Sequence, residues 1–419
     1  MNRLAWVVGV AAALLGGALA GRVLWSPLPD DYVSVESALP AVLSAYGAGV
    51  AAAAVVAVLV TVALTRRRSV ALATTAALVG LLLLALPEMV RYPGEPVVLL
   101  YSNALAAGLV LGGASPLAAR SAATQGALAT GTIGAFLLSD AVGDLRRFGA
   151  EDAGWTAYRP LGAVESEGVV GLWPAVVAAV LVVLTALLDR RPPWSVRIDT
   201  RWLAVALALP VGAFVANWIL IQSGARPEWW YPYVGLVVAL VAWIAWRLPG
   251  SDGRVVFAGT AILAAATGGV PASGADWWSV AVPGALIVAG VVAGLRWPVP
   301  VVGFVVLAGT AAAALVGPDQ WDLPAIAYLL VLPTAAGYTV GSCLPASAPA
   351  TSVGLSLPFA VAIPGAAAAA WTISERYLDA ESAFARQASV SLPAAVVSIA
   401  VIVVCGVGAW GLDLRSGSD

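Results

Sequence analysis

Apolar runs of about twenty residues recur along the whole of this chain, and few folds accept such a pattern. From Leu4 to Trp25 the only charge is Arg22. A helix rises about 1.5 Å per residue, so ~20 residues span the ~30 Å hydrocarbon layer of a bilayer. The runs are too long for barrel strands and lack the period-two alternation that strands carry. Charged residues make up 11% of the sequence and hydrophobic ones 61%, against roughly 25% charged in soluble domains. The expectation is an all-α integral membrane protein of the cell (plasma) membrane.

Hydropathy and turn residues divide the chain into about 14 spans. They run near 4–25, 41–65, 70–89, 97–119, 122–143, 169–188, 202–222, 232–248, 255–271, 279–296, 299–316, 324–343, 352–372 and 390–411. The first span ends in Ala18-Leu19-Ala20, a possible cleavage signal, but its length and the span that follows read as a retained helix. With the N-terminus inside, 13 of 21 arginines fall on the cytoplasmic side and 18 of 23 acids on the other. Positive residues favour the inside, so both termini are expected in the cytoplasm. The longest inner loop, 189–201, divides the chain into six helices over 1–188 and eight over 202–419.

Histidine is absent, as is lysine, and without histidine much of ordinary metal, haem and general-base chemistry is removed. No catalytic residue, metal site or cofactor is expected. The two cysteines, Cys343 and Cys405, read as small packing residues and not as a disulfide. GxxxG pairs at Gly17/Gly21, Gly108/Gly112, Gly290/Gly294 and Gly337/Gly341 predict close helix packing. The stretches from Ala258-Gly259-Thr260 and Ala308-Gly309-Thr310 form a faint fifty-residue repeat, which tandem hairpin duplication or convergent outer turns would explain.

Residues 144–168 form the longest polar interruption, and they hold Arg146, Arg147 and Arg159 on the side where arginine is scarce. Five acids share that stretch, so a self-neutralised cap competes with an anion-binding loop. Asp140 and Asp144 lie one helical turn apart; they could share a proton or a cation, or simply neutralise Arg146 and Arg147. Arg22 either snorkels to headgroups or meets an anionic ligand. Asn103 and Asn217 are neutral polar groups inside spans, and they complete the candidate binding set. Pro333, Pro358, Pro364 and Gly365 mark helices that could kink or hinge.

Three partial resemblances follow. The run Gly154-Trp155-Thr156-Ala157-Tyr158-Arg159-Pro160-Leu161 resembles a stretch of haem–copper oxidase subunit I, whose haem and copper need histidines this chain lacks. Asp30-Asp31 resembles the acidic pair of polyprenyl-phosphate-dependent glycosyltransferases, which implies a base or metal ligand there. The helix count and sidedness are similar in outline to major facilitator exporters and lipid-linked-oligosaccharide flippases. The loop Thr65-Arg66-Arg67-Arg68-Ser69 lacks the Gly- and Asp-containing facilitator motif. The best reading is a transporter, permease or flippase for an amphipathic or hydrophobic solute. A non-catalytic membrane subunit or scaffold is the second and a glycosyltransferase using Asp30/Asp31 the third. The expected partners are the lipid bilayer and a small amphipathic solute or lipid, with another membrane protein as partner on the scaffold reading and no nucleic acid.

Overall fold

The computed structural model describes residues 3–26, 46–90, 96–139, 141–143, 145, 169–189, 200–222, 230–267, 277–313, 315–316, 323–374 and 392–416. Among these, fourteen helical rods follow the fourteen expected spans, and no strand is present. They are α1 (Arg3–Trp25), α2 (Tyr46–Arg67), α3 (Val70–Val90), α4 (Pro96–Ala118), α5 (Ala122–Leu137), α6 (Leu172–Leu188) and α7 (Thr200–Gln222). The rest are α8 (Trp230–Arg247), α9 (Arg254–Thr267), α10 (Trp278–Arg296), α11 (Pro300–Ala313), α12 (Leu323–Ser342), α13 (Ala348–Ser374) and α14 (Leu392–Ser416). In hydrocarbon every backbone polar group must be satisfied within the segment, and the helix does this locally.

The surface of these helices is as apolar as their interior. On α6 only Ala175, Ala178, Val182 and Thr185 are buried, a stripe at helical spacing, while Trp173 is 76% exposed beside bare valines and leucines. Val305 is 64% exposed and Leu82 58%. Such a skin is stable only where the solvent is lipid. Seven of the described helices are long and apolar enough to cross a membrane by length and composition. The chain is an all-α integral membrane protein.

The helices divide into two compact units. The first comprises Met1–Leu207 with Ser273–Val280 and Ala346–Ser356. Within it α1 packs on α4, α5 and α6, α4 also packs on α2 and α3, and α3 packs on α6. Small residues permit this. A Cβ on Gly17 or Gly21 of α1 would run into the backbone of α5 at Leu128 and Thr132. A Cβ on Gly108 would lie 2.7 Å from Val56 on α2, and one on Gly112 2.8 Å from Val60. Lipid is as apolar as leucine, so this close van der Waals approach is what holds the helices together.

The second unit comprises Ala208–Ala272, Ala281–Pro345 and Leu357–Asp419. Here α9 packs on α11, α12 and α14, and α11 packs on α12 and α14. Gly290 and Gly294 of α10 meet the backbone of α12, whose Gly337 and Gly341 meet α10 in return. All four GxxxG pairs therefore lie at crossings within the chain. Five pairings in this set have a counterpart eight helices earlier: α10 with α12 as α2 with α4, α11 with α12 as α3 with α4, α9 with α12 as α1 with α4, α11 with α14 as α3 with α6, and α9 with α14 as α1 with α6. These five pairings are thus used twice among the described residues, and α7 and α8 take no part in them. Their own tie is a hydrogen bond from the Tyr233 hydroxyl to the Ala213 carbonyl, 2.8 Å, and α8 rests on α9 and α14.

Candidate functional site

The corner between α4 and α5 is fixed by its own side chains. Ser121 caps α5, accepting from the Thr124 N–H at 3.2 Å, and the Thr124 hydroxyl donates to the Ala118 carbonyl at 2.5 Å. Between them Arg120 turns inward, with its side chain 7% exposed. Its Nη1 donates to the main-chain carbonyl of Asp189 at 2.9 Å and lies 3.8 Å from that residue's Oδ2. Asp189 is the C-cap of α6, so the guanidinium sits where the helix dipole is negative. Beside the pair is a recess enclosing about 40 Å³, lined by Gly9, Ala12 and Ala13 of α1 together with Thr124, Thr185 and Val182. That is room for a few waters or one small polar group.

A second polar contact lies further along α5. Gln125 Nε2 donates to the Thr351 hydroxyl at 3.2 Å, both residues buried in the first unit, and that hydroxyl donates to the Ser347 carbonyl at 2.9 Å. The start of α13 is thus held by side-chain polarity and not only by apolar packing.

In the second unit Arg254 and Asp413 form a salt bridge of 2.5 Å, and the Arg415 Nη1 donates to the Trp246 carbonyl at 3.1 Å. Cys343 lies beside this pair, fully buried. Burial pushes its thiol up to about 12, against the opposing field of Arg254 and a hydrogen bond with Ser342. Cys343 and Cys405 are both free. The partners in these ion pairs are residues that the arginine bias assigns to the same side: Arg120 with Asp189, and Arg254 with Asp413.

The least regular backbone is in α12. Residues Ala327–Val331 form a π-helical turn, in which the Leu332 N–H reaches back five residues to the Ala327 carbonyl. Pro333 follows, buried. Proline has no N–H and its ring clashes with the carbonyl four residues back, and a wider turn relieves both. The turn carries Tyr328, which is 7% exposed and whose hydroxyl has no hydrogen-bond partner. Leaving a buried hydroxyl unpaired costs about 1–3 kcal/mol.

The residues singled out in the sequence do not converge on one place. Arg22 is half-buried in the last turn of α1. Asn103 is buried in α4, and Asn217 is buried in α7 with its Oδ1 unpartnered. Pro333 bounds the π turn, whereas the main chain of α13 stays helical from Ala348 through Ser374, across Pro358, Pro364 and Gly365. Asp140, Asp144, Arg146, Arg147 and Arg159 lie outside the described residues, as do Asp30 and Asp31. Arg120 and Thr351 are not among the sequence candidates; Arg120 carried a signal, as one arginine in the three-residue connection 119–121 between two helices.

No family model matches the sequence, and no curated protein matches it. Solved structures do. The proton:xylose symporter XylE of the major facilitator superfamily, bound to 6-bromo-6-deoxy-D-glucose, superposes with a TM-score of 0.51. It is 15% identical, and the match covers 98% of this chain and 96% of that one. The fold is that of the major facilitator superfamily. A bacterial homologue of the human lysosomal transporter Spinster, inward-facing and unoccupied, gives a TM-score of 0.49 at 12% identity over 99% of this chain and 98% of its own. At these identities the likeness concerns the fold alone.

Proposed function

We propose that the chain is a membrane transporter of the facilitator type, working in the cell membrane on an amphipathic or hydrophobic solute. The observation that carries this reading is the facilitator fold, matched over 98% of the chain. The character of the buried polar groups supports the solute class. Among the described residues, those away from the helix ends are neutral: Asn103, Asn217, Tyr328 and a set of serines and threonines. Burying an ionised group in hydrocarbon costs at least ~2.5 kcal/mol, and a chain that moved charged solutes would need compensating charges along its path.

The test is flux in liposomes holding the purified protein. Two probes share an NBD-tagged dodecyl tail, one with a glucoside head and one with a phosphate head. External dithionite quenches only the outer leaflet, so movement to the inner leaflet is read directly. The protein should speed transfer of the neutral probe well above that in protein-free liposomes. If neither probe moves faster with protein present, the transport reading fails.

A further inference from the structure

We propose that Tyr328, displayed by the π turn of α12, is a ligand-binding residue that hydrogen-bonds a neutral hydroxyl-bearing headgroup. The inference rests on the transport reading and narrows it to a site and a chemistry. The Tyr328 hydroxyl is buried without a partner. The π turn reroutes the helix bonds around it: the Leu332 N–H is given to Ala327, and the residue after it is Pro333, which has no N–H.

A buried phenol without a partner, set one turn from a proline-induced irregularity, is the complement of a ligand hydroxyl, which can accept from it or donate to it. π turns inside α-helices are frequent at functional sites for this reason, since they free polar groups without ending the helix. No charged residue occurs anywhere in Leu323–Ser342, so the turn offers nothing to neutralise an ionic headgroup.

The experiment compares wild type, Tyr328→Phe and Pro333→Ala, each purified in an amphipol. Binding of the NBD-dodecyl glucoside is measured by fluorescence with competition by unlabelled dodecyl glucoside, and melting is followed without ligand. Tyr328→Phe removes a hydroxyl that holds nothing in the free protein, so it should melt no lower than wild type. It should nevertheless bind the glucoside at least about tenfold more weakly. Pro333→Ala restores an N–H to the turn and should weaken binding in the same direction without lowering the melting temperature. The proposal is overturned if Tyr328→Phe melts clearly lower, which would make the hydroxyl structural. It is equally overturned if the variants bind as wild type does, if wild type does not bind the glucoside, or if the dodecyl phosphate probe binds as tightly. Binding that depends on Tyr328 without flux in liposomes would strike the transport reading and leave the site. Flux that ignores Tyr328 would do the reverse.

Discussion

The buried Arg120–Asp189 pair allows a quantitative prediction. The two side chains are 7% and 10% exposed, with 3.8 Å between Nη1 and Oδ2. At an effective dielectric of ~20, two unit charges at that distance attract by about 4 kcal/mol. Removing one member strands the other, at a typical cost of ~3–5 kcal/mol, whereas replacing both with apolar residues of similar volume is often close to neutral. The two single variants should not be equal. Asp189→Leu keeps the main-chain carbonyl that accepts from Nη1 at 2.9 Å, so the guanidinium retains one strong hydrogen bond. Arg120→Leu loses that bond and leaves the carboxylate in an apolar recess. We expect about 3 kcal/mol of destabilisation for Asp189→Leu and about 4 for Arg120→Leu. The double variant should cost at least ~2 kcal/mol less than the sum of the singles. Tryptophan fluorescence during SDS-induced unfolding of the purified protein would report all three. Singles that add within about 0.5 kcal/mol, or that cost less than about 1 kcal/mol each, would refute the argument that this pair is coupled and desolvated.

Two further outcomes follow from the packing. Gly337→Leu on α12 drives a side chain into the Ile287 carbonyl of α10, and it should destabilise the second unit by at least ~1–3 kcal/mol in the same unfolding assay; wild-type stability would mean that the crossing is not as close as described. Cys343 and Cys405 are fully buried, and the Cys343 thiol is pushed up to about 12. The thiolate is the reactive form, so raising the pH from 7 to 9 should leave both unlabelled by maleimide while an exposed thiol speeds up steeply. Cysteines introduced by Tyr158→Cys and Val196→Cys then give the sidedness. The first should label from outside and the second only from within, and the opposite pattern would invert the topology.

Much of the fold was legible because a bilayer leaves few options. Twenty apolar residues between breakers predict a helix almost regardless of which apolar residues they are, and every expected span became a rod. Packing was legible in part. The GxxxG pairs pointed to close crossings, and Gly17, Gly108, Gly290 and Gly337 are all at such crossings, but nothing in a single sequence says which helix each one meets. The pairings that recur run across eight helices, as α1 with α6 and α9 with α14, and a single sequence does not point to them, since lipid-facing and small packing positions accept many apolar residues. The family motif was absent from the turn after α2. That turn is closed by Arg68 with a backbone φ of 50° and by Ser69, whose hydroxyl accepts from the Leu72 N–H at 3.3 Å.

The candidate site was less legible, for a definite reason. Charge draws attention, and the most charged stretch, 144–168, drew the first reading. Among the described residues, the buried atoms without a hydrogen-bond partner include neutral ones inside spans, the Tyr328 hydroxyl and the Asn217 Oδ1, beside Glu88 Oε2 and two guanidinium nitrogens of Arg120. Pro333 was recognised as a break, but that it yields a π turn and not a plain kink depends on where the neighbouring N–H groups go. The sequence does not encode that in any local signature.

The proposed function is carriage of a solute across the membrane, and trans-stimulation tests it most directly. Liposomes holding the protein are preloaded with unlabelled dodecyl glucoside, and inward movement of the NBD-tagged glucoside is followed by dithionite quenching. A carrier returns faster when loaded, so preloading should accelerate uptake of the tagged probe, and uptake should saturate with its concentration. Uptake that stays linear with concentration and is indifferent to preloading would contradict the account.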